Sequence, residues 1–168
     1  MGAAATATPA VRPKELHFPL SVEWVAERRV VAQMEGKPTI EITPPPVFRG
    51  TDPTTSSPED FFVVAAASCL AVTFAGLAAT VGLTYAGLRV DGDGVVGLRA
   101  DGRSGFTRLL PRFELDVDPA HEAQARDLAE KAEAGCLVSV LLDLPVETAI
   151  EVRTATSSVG PLALSSPS

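Results

Sequence analysis

The chain has 168 residues, 46% hydrophobic and 21% charged, a composition that suits one globular domain with a substantial core and excludes a chain disordered throughout. A formal net charge of -7 and only 5% aromatic residues exclude a phosphate-backbone or base-stacking surface, so no nucleic acid partner is expected. Two cysteines, Cys69 and Cys136, are too few for a disulfide scaffold and lack zinc-site spacing, which leaves core packing or redox chemistry.

The opening MGAAATATPAVR has no basic region followed by an apolar one, so a secretory leader is not expected. The closing TATSSVGPLALSSPS is rich in Ser, Pro and small residues. Together these readings predict a flexible segment over 1–15, a folded domain over 16–153 and a flexible tail over 154–168.

In chain order, SVEWVAERRVVAQ and KPTIEIT read as the two arms of a hairpin, with Glu35-Gly36 supplying the turn. The following PPPVFRGTDPTTSSP carries five prolines and must be loop. A helix starts where it ends: Ser57 can cap, Pro58 suits the first helical position, and Glu59 and Asp60 suit the positive end of the helix dipole. From Phe61 to Val81 there is no charge, long enough to span a bilayer. The many Ala, Ser, Thr and Gly residues and the absence of basic flanks favour instead a central helix covered on every side, with no membrane partner.

After Gly82, two glycine-punctuated stretches rich in Val, Leu and Phe read as a β meander. Asp118-Pro119 opens a second helix that Gly135 ends; Cys136 then heads the short apolar run LVSVLL, and PVETAIEVR is a last strand. Strands segregated from helices in this order predict an α+β fold.

Several motifs are set aside. Gly92 to Gly97 spells the dinucleotide fingerprint, but no helix follows to receive a pyrophosphate. Asp91 and Asp93 begin like a calcium loop, yet Gly102 stands where the bidentate acid belongs. His17 and His121 are isolated and read as solvent-exposed. No G-x-S-x-G elbow is present, and no cofactor or metal is expected. A thiol inside an apolar helix is by itself more often inert core. Cys136 at the start of a short helix supplies the distant second thiol that a sulfenic acid needs for resolution.

The run SSPEDFFVVAAASCLAVT, around Ser57 to Thr73, resembles the N-P-E-x-L/F helix of the OsmC/Ohr family of hydroperoxide reductases, with its acid ten residues before the helix cysteine. The preceding PPPVFRGTD resembles the loop of OsmC-like members, and KAEAGCLVSVLLDLPVETAIEV resembles the family's second cysteine motif and last strand. The resemblance covers about Ser21 to Arg153. It implies an OsmC-like intertwined homodimer, two central helices packed against curved antiparallel β-sheets, with active sites at the subunit interface. It implies a cytoplasmic peroxidase in which Cys69 attacks an organic hydroperoxide, Cys136 resolves the sulfenic acid to a disulfide, and a dithiol or lipoyl-type reductant restores both thiols. It also implies an arginine that polarises the peroxide and an acid that holds it. Glu59 matches the acid. Arg28 and Arg29 both fall in the first hairpin, where strand alternation turns only one inward; Arg28 is preferred, with Arg49 an outside candidate.

Two features depart from the family pattern, TTSSPED at the helix start and Cys136-Leu137 at the second motif, and point to a divergent OsmC-like branch. Ala- and Phe-rich surroundings suit a bulky apolar hydroperoxide over hydrogen peroxide. The competing reading is a non-catalytic protein of the same fold that binds an apolar small molecule at the dimer interface.

Overall fold

In the computed structural model, which describes residues 15–142 and 144–154, the chain divides into two compact units, one ending at Ser56 and the other starting at Ser57. The expected flexible ends lie outside the described residues apart from Glu15 and Thr154.

The first unit is a three-stranded antiparallel sheet of β1 (Ser21–Ala26), β2 (Arg29–Gln33) and β3 (Ile40–Ile42), in that order. The expected hairpin through Glu35-Gly36 joins β2 to β3, with Gly36 at φ +70° as such a turn requires. Its first arm, however, is not one strand. The chain reverses at Glu27-Arg28, where Glu27 takes φ +45° and its carbonyl accepts from the Trp24 indole N–H at 3.0 Å. Beyond β3 the prolines do what they must: Pro46–Phe48 forms one 3-10 turn, ending at Arg49 with φ +65°. Asp52 then staples the loop by accepting from the Thr54 N–H and from both the Thr54 and Thr55 hydroxyls.

The second unit opens with α1 (Pro58–Val81). Its start closes a capping box: the Asp60 N–H donates to the Ser57 hydroxyl, and the Ser57 N–H donates to the Asp60 carboxylate. Its end is set by Gly82 at φ +69°, beyond which the Leu83 N–H donates back to Ala78. One stripe of the helix, Ala66, Leu70, Phe74 and Ala78, is buried. The helix is long and apolar enough to cross a membrane by length and composition alone, but this stripe packs into a core.

The expected meander takes a different form. β4 (Gly87–Asp91) and β5 (Gly94–Leu98) make one arm, and β6 (Ser104–Leu109) and β7 (Arg112–Val117) the other. β4 pairs with β7 and β5 with β6, so the four form a single long hairpin bent in the middle. The bend falls at Gly92-Asp93 opposite Leu110-Pro111: proline has no N–H for the ladder, and the Leu110 N–H reaches Asp93 instead at 2.8 Å.

Asp118 caps a short 3-10 turn that leads into α2 (Glu122–Ala134), and α3 (Leu137–Leu141) follows Gly135. β8 (Ala149–Thr154) returns parallel to β7, giving the order β4-β7-β8. Phe113, Leu115 and Val117 of β7 face inward with period two and meet Leu70 and Phe74 of α1 and Ala125, Leu128, Ala129 and Ala132 of α2. Phe74 lies edge-on to Phe113, ring centroids 5.0 Å apart. The opposite face of β7 is charged, with Arg153 of β8 bridging Glu114 and Asp116.

Candidate active site

Cys69 and Glu59 ride on α1 because the capping box fixes where the helix begins. Cys69 is half-buried, next to the inward-facing Leu70. Cys136 sits at the joint between α2 and α3: α2 ends at Gly135, and α3 packs against both α1 and α2. The Cys136 side chain is fully buried.

This packing brings together the two cysteines, which lie far apart in the chain: the Cys69 side chain is near enough to lower the Cys136 thiol, although no Cys69–Cys136 hydrogen bond forms among the described residues. Both are free thiols. Burial pushes the Cys136 thiol up, but the Ser139 hydroxyl, the Ser139 and Val138 N–H groups and the Cys69 side chain together outweigh it and hold Cys136 below the usual thiol range. Cys136 closes no cap hydrogen bond of regular geometry, so these are loose contacts whose electrostatic effect adds up. Sequence reading missed Ser139. Its signal was the spacing, three residues beyond Cys136, where a helix-capping partner stands.

Glu59 occupies a different place. It lines a cleft of about 330 Å³ with Val63, Gly92, Gly94 and Phe106, bounded by the bend of the long hairpin. Its Oε2 is buried without a hydrogen-bond partner among the described residues. A buried carboxylate oxygen in that condition calls for a donor or cation. Ten helical residues rise about 15 Å, so Glu59 does not reach Cys69 through side chains alone.

The candidate arginines lie in the first unit. Arg28 stands in the β1–β2 turn and not in a strand, so the expected strand alternation does not decide between it and Arg29. Its Nη1 donates to the Phe48 carbonyl at 2.5 Å. Arg29, at the start of β2, is engaged by the Glu41 carboxylate and lies 4.0 Å from that of Asp52. Arg29 is thereby committed to its own unit, whereas Arg28 is exposed and makes no ion pair among the described residues. Arg49 lines a small cavity beside both. Asp52 is held down to about 2 by the Thr54 hydroxyl first, then by the Thr55 hydroxyl and the Thr54 N–H, with Arg29 adding attraction against the cost of burial. His17 and His121 are exposed, and the described residues hold no cluster able to bind a metal.

An α+β fold with this helix-borne thiol, a second thiol beside it and the acid at the helix start defines a class. The OsmC family profile, described as OsmC-like protein, matches residues 50–151. The chain belongs to the OsmC-like family. It is 27% identical over 140 residues to the protein YmaD of Bacillus subtilis (strain 168), covering 80% of this chain and 92% of that one. Its fold is similar to the OsmC-like protein VCA0330 of Vibrio cholerae, with a TM-score of 0.74 at 18% identity over 81% of this chain and 99% of the other. It is also similar to an organic hydroperoxide resistance protein from Elizabethkingia anophelis, with a TM-score of 0.67 at 16% identity over 86% of this chain and 100% of that one.

Proposed function

We propose that this protein is a cytoplasmic, thiol-dependent peroxidase that reduces organic hydroperoxides to alcohols, with residues 16–153 as its domain. The observation that carries the reading is the pairing of Cys69 with the buried Cys136 in a chain with no other cysteine. In the reaction the Cys69 thiolate attacks the distal peroxide oxygen, the O–O bond breaks, and the alkoxide takes a proton and leaves as the alcohol. Cys69 is then a sulfenic acid. Cys136 attacks its sulfur and expels water, forming a disulfide that an external dithiol or lipoyl-type reductant returns to two thiols. The depressed pKa of Cys136 supports the resolving role, because the thiolate is the attacking species.

Glu59 is proposed as the acid that orients the arginine, supported by its unpartnered buried oxygen. Arg28 is proposed as that arginine on the family resemblance, supported by its freedom from ion pairs among the described residues. An obligate homodimer fits the apolar residues left exposed, Val64 and Val72 on α1 and Leu137, Val140 and Leu141 on α3. Free thiols fit a reducing compartment.

The test is consumption of cumene hydroperoxide and of hydrogen peroxide with a dithiol reductant, comparing the native protein with Cys69→Ser and Cys136→Ser. The expected result is fast turnover of the organic peroxide, abolished by Cys69→Ser, with Cys136→Ser accumulating a sulfenic acid that a dimedone-type reagent traps. Native protein no faster than Cys69→Ser would overturn the proposal and favour the non-catalytic binding of an apolar molecule.

A further inference from the structure

The first unit holds a small cavity of about 70 Å³ whose lining is chemically distinct from that of the thiol pair: Arg28, Arg29 and Arg49 converge on it with Glu27, Thr43 and Gly50. Arg29 is already met by Glu41 and Asp52, so Arg28 and Arg49 supply the charge left over, against Glu27 alone in the lining. Arg28 spends one Nη1 donor on the Phe48 carbonyl and keeps the rest of its fork. The Arg49 guanidinium makes no ion pair or hydrogen bond among the described residues.

Thr43 borders the same cavity. Thr43 is 6% exposed, and its Oγ1 is buried with no hydrogen-bond partner among the described residues, although its N–H is satisfied by the Ser56 carbonyl at 3.2 Å. The backbone is arranged to form the cavity wall. A Cβ on Gly50 would fall 1.7 Å from the Pro44 carbonyl oxygen, so only glycine lets the loop close there. Arg49 itself holds φ +65°, a conformation in which glycine costs less, so the side chain is kept at the expense of backbone ease.

We propose that this cavity binds a single oxyanion, the carboxylate of an organic acid or an inorganic phosphate, gripped by the Arg49 and Arg28 guanidinium groups. The volume takes one such group and no more, and the guanidinium fork matches the oxygens of either. The site shares Arg28 with the proposed peroxidase arginine, whereas Arg49 belongs to the anion site alone, so the test is made through Arg49.

Isothermal titration calorimetry of the full chain with sodium phosphate and, separately, sodium acetate, at an ionic strength fixed with sodium chloride, tests it. The expected result is saturable one-site binding of at least one of the two over the chloride background, and the anion that binds identifies the source. Arg49→Gly, which suits the left-handed backbone and keeps the loop folded, weakens that binding about tenfold. Binding of neither anion beyond chloride, or binding undiminished in Arg49→Gly, overturns the proposal.

Discussion

The seat of α1 on the bent hairpin gives the sharpest test of the geometry that positions Glu59 and Cys69. A Cβ added at Gly92 would lie 2.7 Å from Val63 Cγ1 and 3.5 Å from the Ala67 Cβ, and its φ lies outside the left-handed region, so alanine is opposed there by space alone. Overpacking of this kind costs about 1 to 3 kcal/mol, offset by about 0.4 to 1 kcal/mol because alanine restricts the unfolded chain. Gly92→Ala is therefore expected to destabilise by about 1 to 2 kcal/mol. Val63→Ala removes the atom in the way, and in that background the same change at Gly92 is expected to stabilise by about 0.5 kcal/mol. The coupling in a double-mutant cycle is then about 1.5 to 2.5 kcal/mol, well above the few tenths expected of independent sites. Equilibrium unfolding in urea of the four proteins, at one protein concentration, measures it. An equal cost of Gly92→Ala in both backgrounds would refute the packing of α1 against the bend.

Three further expectations follow from particular contacts. Ser57→Ala breaks the capping box at a buried position and is expected to cost about 1 to 2 kcal/mol in the same unfolding assay, with Ser57→Asp recovering much of it. Asp52 is depressed in the folded state to about 2, so the loop stabilisation it brings is complete above the ordinary carboxylate range and is lost as pH falls through about 2; NMR titration of the Thr54 and Thr55 amides should show that midpoint, and Thr55→Val should move it upward. Ser139→Ala removes the hydroxyl that most lowers the Cys136 thiol and should raise the pH at which the thiolate absorbance near 240 nm appears in a Cys69→Ser background; an unchanged midpoint would show that Ser139 does not hold the thiolate.

The sequence made some of this legible and hid the rest for physical reasons. The start of α1 was plain because Ser57, Pro58 and Asp60 each suit one helix-start position for a separate reason, and all three agree. The turn at Glu27-Arg28 was hidden because it carries none of the Gly, Asn or Pro residues that mark a reversal; two charged residues in a strand-like run conceal a positive φ that only the Trp24 bond reveals. The meander was an over-reading of glycine. Gly92 does not reverse the chain but lets α1 approach it, and the true reversal lies at Gly102, φ +81°. The thiol pair was legible as a possibility, since both residues could be named, but their meeting depends on α3 packing against α1, a tertiary contact that no local spacing encodes.

The structure of the second unit also constrains how the proposed chemistry is divided. Glu59 borders the cleft at the hairpin bend, while Cys69 stands about 15 Å along the same helix beside Cys136. Because α1 is a continuous helix from Pro58 to Val81, bending cannot bring acid and thiol together. Within one chain, the role proposed for the carboxylate therefore needs an intermediary long enough to cover that distance, unless the glutamate beside the thiol comes from the other subunit of the proposed dimer; among charged side chains the arginine fork both satisfies an unpartnered carboxylate oxygen and presents further donors to a peroxide. Glu59→Gln, which keeps the shape and removes the charge, should in that case lower kcat/KM for cumene hydroperoxide while leaving the alkylation of Cys69 by iodoacetamide unchanged. A parallel fall in both would place the acid's influence on the thiol itself and defeat the argument from distance.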